Sequence, residues 1–158
     1  MQQRLLRLPA FAGPGIVAGL TGAVLIDAYL ILTVVVAARA TSLTGFYRFV
    51  ASGVLGAAAY AAPSAVLLGI VLHLAIGAAW GVGYAYVAAR TPQVRARPLP
   101  SGIAFGFVVM IAMQLVEVAA NIYRLPDTLS LLNGAVAHVA FFGLPIAYIV
   151  SARLDALR

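Results

Sequence analysis

Four ionisable side chains lie deep inside long apolar stretches of this chain: Asp27, His73, Glu117 and His138, with Gln114 one helical turn before Glu117. Carboxylate and imidazole are the pair best suited to proton chemistry near neutrality. Imidazole titrates there, and each group supplies the donor or acceptor that the other lacks. The same set offers mixed nitrogen and oxygen ligands for a divalent metal, with His73 and His138 as its nitrogen donors. Two imidazoles on facing helices can instead ligate a b-type haem axially, provided small residues leave a slot for the macrocycle, and Gly69, Gly77 and Gly134 lie at the right places for one. A purely structural reading is also open, in which the polar groups form a hydrogen-bonded buckle that fixes helix register.

The elements that position these groups follow from composition. Of 158 residues 64% are hydrophobic and 9% charged, and mean hydropathy is +1.06, more apolar surface than one soluble core hides. Four segments, 16–38, 64–88, 101–122 and 130–151, each exceed the roughly 20 residues that cross a hydrocarbon core. Rich in Ala, Leu, Val and Gly, they are expected as helices. The fold class is therefore all-α: an integral membrane four-helix bundle forming a single domain over residues 1–158. Counted from the outer end of each helix, Asp27 lies about 16 Å deep, His73 about 14 Å, Gln114 and His138 about 12 Å and Glu117 about 8 Å. Facing lipid, such groups cost at least about 2.5 kcal/mol each. They are expected to face inward and pair, Asp27 with one histidine and Glu117 with the other.

All ten cationic residues are arginine. Seven, Arg4, Arg7, Arg90, Arg95, Arg97, Arg153 and Arg158, fall on one side of the predicted spans, and three, Arg39, Arg48 and Arg124, on the other. The positive-inside rule puts both termini in the cytoplasm. The excess charge thus reports topology, and nucleic-acid binding, which needs a basic folded surface with readout groups, is excluded. With no cysteine there is no disulfide, thiolate metal site or thiol nucleophile. The N-terminus lacks a cleavable signal pattern. No phosphate-binding glycine loop, Ser-His-Asp arrangement or zinc-protease motif is present, so nothing supports a hydrolase or a nucleotide-dependent enzyme.

Small residues recur every fourth position: Gly15, Gly19 and Ala23 lead to Asp27, Gly69 leads to His73, Gly77 and Gly81, and Gly102 and Gly106 lead to Met110 and Gln114. Such stripes let helix backbones approach, which places the polar side chains on helix contacts. On the fourth helix Gly134 shares a face with His138. The chain also repeats itself. Gly15-Ile-x-x-Gly19 opens the first span and Gly102-Ile-x-x-Gly106 the third, while Gly69-Ile-Val-Leu-His73-Leu-Ala75 and Gly134-Ala-Val-Ala-His138-Val-Ala140 share four of seven residues. Two tandem helix pairs related by an axis along the membrane normal are expected, with His73 and His138 as counterparts.

Between the first two spans, Thr41 to Pro63 is apolar but too short to cross, and is expected as an interfacial helix anchored by Tyr47 and Arg48, or as a re-entrant piece. Arg90 to Pro100, with three prolines, is expected as a connector. Trp80, Tyr84 and Tyr86 suggest an interfacial aromatic anchor. Pro145 suggests a bend, and Asn121, Tyr123, Arg124 and Asp127 suggest an ordinary outer loop or a small polar gate.

The strings Gly15-Ile-x-x-Gly19, Phe49-Val-Ala-Ser-Gly-Val-Leu-Gly56 and Leu68-Gly-x-x-Leu-His73, with the arginine-proline connector, resemble the YagU-like four-helix inner-membrane proteins of bacteria over most of the chain. The resemblance implies a small protein of the bacterial cytoplasmic membrane and supplies no activity. The glycine stripes exceed what one thin bundle needs, so a homo-oligomer or a subunit of a membrane complex, embedded in the lipid bilayer, is expected.

Overall fold

Backbone groups in hydrocarbon find no water to bond, so spanning segments must satisfy themselves as helices. The computed structural model describes residues 9–122 and 125–156 and contains no strand among them. Four helices are long and apolar enough to cross a membrane, Ala12–Ala37, Ala65–Arg90, Pro98–Ala119 and Thr128–Asp155, and the chain is a membrane protein. Arg4, Arg7, Tyr123, Arg124 and Arg158, which enter the charge count and the outer loop, lie outside the described residues.

The first span is α1 (Ala12–Leu30), continued by a π-helical stretch Ile31–Ala37. Then come the short α2 (Leu43–Leu55), the spanning α3 (Ala65–Arg90), the five-residue α4 (Pro92–Ala96) and the spanning α5 (Pro98–Ala119). The fourth span joins α6 (Thr128–Val136) and α7 (Leu144–Asp155) through a second π-helical stretch, Ala137–Gly143. Local chemistry explains the ends. Ser42 accepts from the Gly45 N–H at 3.0 Å and Asp127 from the Ser130 N–H at 2.8 Å, capping α2 and α6. Gly56, at φ +57°, follows α2 in the left-handed region that glycine enters without cost. Asn121 does the same after α5, and Ile122 N–H bonds Glu117 O while Asn121 N–H bonds Val118 O, a Schellman stop. Asn121 and Asp127 thus serve the helix ends rather than a gate.

One expectation changes here. α5 begins at Pro98 rather than Ser101, because the first turn of a helix has no N–H partners to lose. Pro145, lacking an N–H, is the second residue of α7, in its first turn, with Leu144 alone between it and a π-helical stretch where the ladder has shifted to i→i+5 bonding. At the other end of the bundle the connector is tied down. Arg95 is buried, its Nε 3.0 Å from Asp155 Oδ1, and Ser101 Oγ donates to Val94 O at 3.0 Å. Asp155 is largely exposed, which keeps that pair to about 0–1 kcal/mol.

The interior is small-residue packing, and large apolar side chains such as Leu67, Val108 and Leu115 face outward, where lipid would cover them. Helix α1 meets α3 through glycines. A Cβ on Gly15 would stand 2.6 Å from Val82 Cα, one on Gly19 2.8 Å from Ala78 Cα, and one on Gly81 2.6 Å from Gly19 Cα, with Gly15 O closer still. Helix α5 meets the fourth span in the same way. A Cβ on Gly102 would stand 3.0 Å from Leu144 Cα, one on Gly106 2.7 Å from Val139 Cα, and one on Gly143 2.8 Å from Gly106 Cα, with Gly102 O closer still. Gly134 was expected on such a contact, but nothing lies within 4 Å of its added Cβ. It is Gly143 that takes the packing role.

Replacing Gly81 or Gly143 with Ala should therefore destabilise the folded protein by about 1–3 kcal/mol, the cost of forcing an atom against backbone. Gly83→Ala, with nothing within 4 Å, should be neutral or stabilising by up to about 1 kcal/mol from helix propensity. Thermal unfolding in detergent checks the contrast. A second test concerns Asp127, whose carboxyl is held below its ordinary range chiefly by the Ser130 N–H. The cap's contribution is full above the ordinary carboxylate pKa and is lost as pH falls through the lowered value. Asp127→Ala should lower the melting temperature at neutral pH, and the gap should close in acid.

Candidate functional site

Helix α3 carries Gly69, His73, Gly77 and Gly81 at successive fourth positions, and this one stripe builds the site. Gly77 and Gly81 pack on α1. Gly69 packs on α2, where a Cβ would stand 3.1 Å from Tyr47 Cβ and closer still to Tyr47 O. His73 lies between these contacts. Its Nε2 comes within 3.0 Å of Asp27 Oδ1 on α1, and Tyr47 on α2 donates its hydroxyl to Asp27 Oδ2 at 3.1 Å. The result is a chain of three groups from three helices, Tyr47 to Asp27 to His73. Asp27 is buried, and neither Asp27 Oδ1 nor His73 Nε2 has an aligned hydrogen bond among the described residues, so the pair meets at ion-pair distance and must answer to each other. Burial and the adjoining Asp27 carboxylate push the Tyr47 phenol up to about 12, so it stays a donor at neutral pH.

Beside this chain is a cavity of about 290 Å³, walled by apolar side chains including Ile26, Phe46, Phe49, Met113 and Phe142. Its ionisable lining residues are His73, Glu117 and His138. Three of the four groups expected in one layer thus share a cavity, with Asp27 behind His73. Gln114 is not in the wall and makes no side-chain hydrogen bond among the described residues.

The expected pairing holds for Asp27 and His73 and fails for the other two. His138 Nδ1 donates to Gly134 O at 2.8 Å, since a carbonyl can only accept. Glu117 has no side-chain partner among the described residues. The backbone took His138 because an i−4 carbonyl lies within reach of the ring, whereas Glu117 stands on another helix. The histidines are not positional counterparts either. In the two glycine crossings His138 O stands against Gly106 as Gly77 O stands against Gly19, so His138 matches Gly77.

Tyr47 is the residue sequence reasoning misplaced, as an anchor at headgroup depth rather than a ligand of Asp27. A second polar cluster also went unread: Tyr29 donates to Asn133 Oδ1 at 2.7 Å, Asn133 Nδ2 to Thr33 Oγ1 at 3.3 Å, and Thr33 Oγ1 to Tyr29 O at 2.9 Å. Tyr29 stacks on Phe141 with centroids 4.3 Å apart. The only signal for it was polar residues near helix ends. In the aromatic anchor group, Trp80 lines the cavity, Tyr84 is buried, and Tyr86 lies beneath Arg90, whose Cζ is 3.9 Å from its centroid.

The haem slot is closed, because Gly69 is occupied by Tyr47 and Gly77 by Ala23, and His73 Nε2 is turned to Asp27. Among the described residues no three His, Asp or Glu side chains gather closely enough to hold a metal ion. The arrangement can hold a proton between Asp27 and His73, and His73 shares its cavity with His138 and Glu117.

Removing the Tyr47 hydroxyl leaves a buried carboxylate oxygen without its donor, so Tyr47→Phe should cost about 1–3 kcal/mol of stability. In an Asp27→Leu background the same change should cost far less. Unfolding free energies of the four proteins of this cycle measure the coupling. Compared with family models, with curated proteins and with solved structures, the chain matches none.

Proposed function

We propose that the protein binds and translocates a proton, or a small cation in its place, through the intramembrane groups Asp27, His73, Glu117 and His138. The observation that carries this reading is the buried Tyr47-Asp27-His73 chain opening onto a cavity shared with His138 and Glu117. Ionisable groups are retained within membrane spans at a cost that function ordinarily explains. A scaffold would be served by fully paired polar groups, yet Glu117 is unpaired among the described residues. The absence of a three-ligand cluster there favours the proton over a divalent cation. Asp27 and His73 each relieve the other's charge, so a proton can rest on either at small cost, and His73 alone of the two borders the cavity.

The arginine distribution supports a bacterial inner-membrane location with both termini cytoplasmic, in keeping with the YagU-like resemblance. The exposed apolar belt and unfilled glycines such as Gly13 and Gly83 support a homo-oligomer or a place in a membrane complex. Tandem origin of the helix pairs is supported by the matched crossings: Gly15, Gly19 and Gly81 meet their neighbours as Gly102, Gly106 and Gly143 do. In the first pair four residues separate the contacts at Gly77 and Gly81. In the second, five separate those at His138 and Gly143, which is the spacing a π turn absorbs.

Reconstituted into liposomes with an imposed pH gradient, the protein should carry a flux that is lost in His73→Gln, which keeps a donor and an acceptor but does not titrate near neutrality. Asp27→Asn should show a similar loss with the fold intact by circular dichroism. Undiminished flux in both variants would refute the proposal and leave the layer as a packing buckle.

A further inference from the structure

The cavity beside His73 has few polar groups for its size, and proton exchange alone does not account for its apolar wall. At about 290 Å³ it sits near the lower end of the sizes that hold small organic molecules, and its wall is aromatic and aliphatic. Two groups in that wall are left with unused capacity. His138 spends Nδ1 on the Gly134 carbonyl, so in the neutral ring Nε2 is a lone-pair acceptor, and no described residue donates to it. Glu117 likewise has no side-chain partner among the described residues. Buried or lipid-covered polar groups left unmet are costly. An occupant that suits such a site has an apolar body and one oxygen head that carries a proton.

We propose that the cavity binds a lipophilic molecule with a hydroxyl or protonated carboxyl head, which donates to His138 Nε2 while its body lies against Phe46, Phe49 and Phe142. A phenol and a medium-chain acid share this chemistry. The inference rests on reading the site as one that exchanges protons, and it names what delivers them: a neutral, membrane-soluble O–H donor. Helix α2 supplies part of the wall through Phe46, Phe49 and Gly53, and holds the Asp27 chain through Tyr47, so the cavity and the buried pair share one element.

Trp80, the sole tryptophan, lies in the cavity wall and provides the readout. The full-length protein in lipid nanodiscs would be titrated with 4-bromophenol and its methyl ether, and separately with a bromodecanoic acid and its methyl ester, following quenching of Trp80 by the bromine. Saturable quenching is expected from the phenol, the acid or both, with the matching ether or ester weaker by about tenfold, the size of one lost hydrogen bond. Which of the two pairs shows the effect identifies the head group. His138→Leu should abolish the preference within the pair. Gly53→Phe is the second variant. Nothing lies within 4 Å of a Cβ at Gly53, so a side chain there has space to grow, and it should remove saturable quenching altogether. Equal, unsaturable quenching by both members of each pair, or saturable quenching untouched by Gly53→Phe, would overturn the proposal. Binding is measured here without a pH gradient, so loss of flux with intact quenching indicts translocation alone, and flux without quenching indicts the ligand alone.

Discussion

Everything in this bundle hangs on backbone-to-backbone contact at glycine. Lipid tails are as apolar as leucine, so no hydrophobic drive presses spanning helices together, and close packing must do it instead. Gly15 and Gly19 against Gly77 and Gly81 bring α1 and α3 so near that a single methyl would collide with main chain. That contact sets the level of everything above it. Asp27 stands two turns beyond Gly19 and His73 one turn before Gly77, and at this antiparallel crossing the two side chains meet at 3.0 Å. One turn farther along α3, Gly69 admits the backbone of Tyr47, which closes the chain of contacts on Asp27.

The polar groups divide by how they are satisfied. Asp27 accepts from the Tyr47 hydroxyl at Oδ2 and has His73 Nε2 at ion-pair distance from Oδ1, so both of its oxygens have a neighbour within the protein. His138 relies on its own helix, and the carbonyl it uses, that of Gly134, belongs to a residue whose Cα carries no side chain to crowd the ring. Glu117 lines the cavity with no side-chain partner among the described residues. Satisfaction therefore falls off from the α1–α3 crossing toward the cavity's far wall. A buckle that served only helix register would be expected to run the other way, with its most costly groups fully met.

The spans were legible because length and hydropathy alone decide them, and the observed ends differ from the expected ones by four residues at most. That Asp27 meets a histidine was legible too, since fourth-position spacing put these groups on helix-contact stripes, though which histidine was not. Tyr47 was not. Its neighbours Phe46 and Arg48 gave it the look of an interfacial anchor, and only the packing of α2 on Gly69 turns it inward. Glu117 was paired with a histidine on chemistry, but partner choice also depends on reach, and for His138 the Gly134 carbonyl of the same helix lies within it. The π-helical stretches leave no mark in composition. They depend on how a widened turn fits its neighbours, which a one-dimensional pattern does not record.

The seven-residue histidine match illustrates how such a pattern misleads. It aligns His73 with His138 by identity, whereas the crossings align His138 with Gly77, one turn away. Geometry is the better guide to what each residue does, because a residue's role is set by the contacts around it. His73 occupies the position that in the fourth span belongs to Gly134, the residue whose carbonyl His138 uses. On the proposed tandem ancestry the extra residue of the second helix matters as much as the histidines themselves. It shifts the ladder by one between His138 and Gly143, so the glycine contact with α5 is kept below while the ring above turns into the cavity. Two helix pairs with nearly the same packing thereby present their imidazoles differently: one bound to a buried carboxylate, the other with a free nitrogen beside the same apolar space.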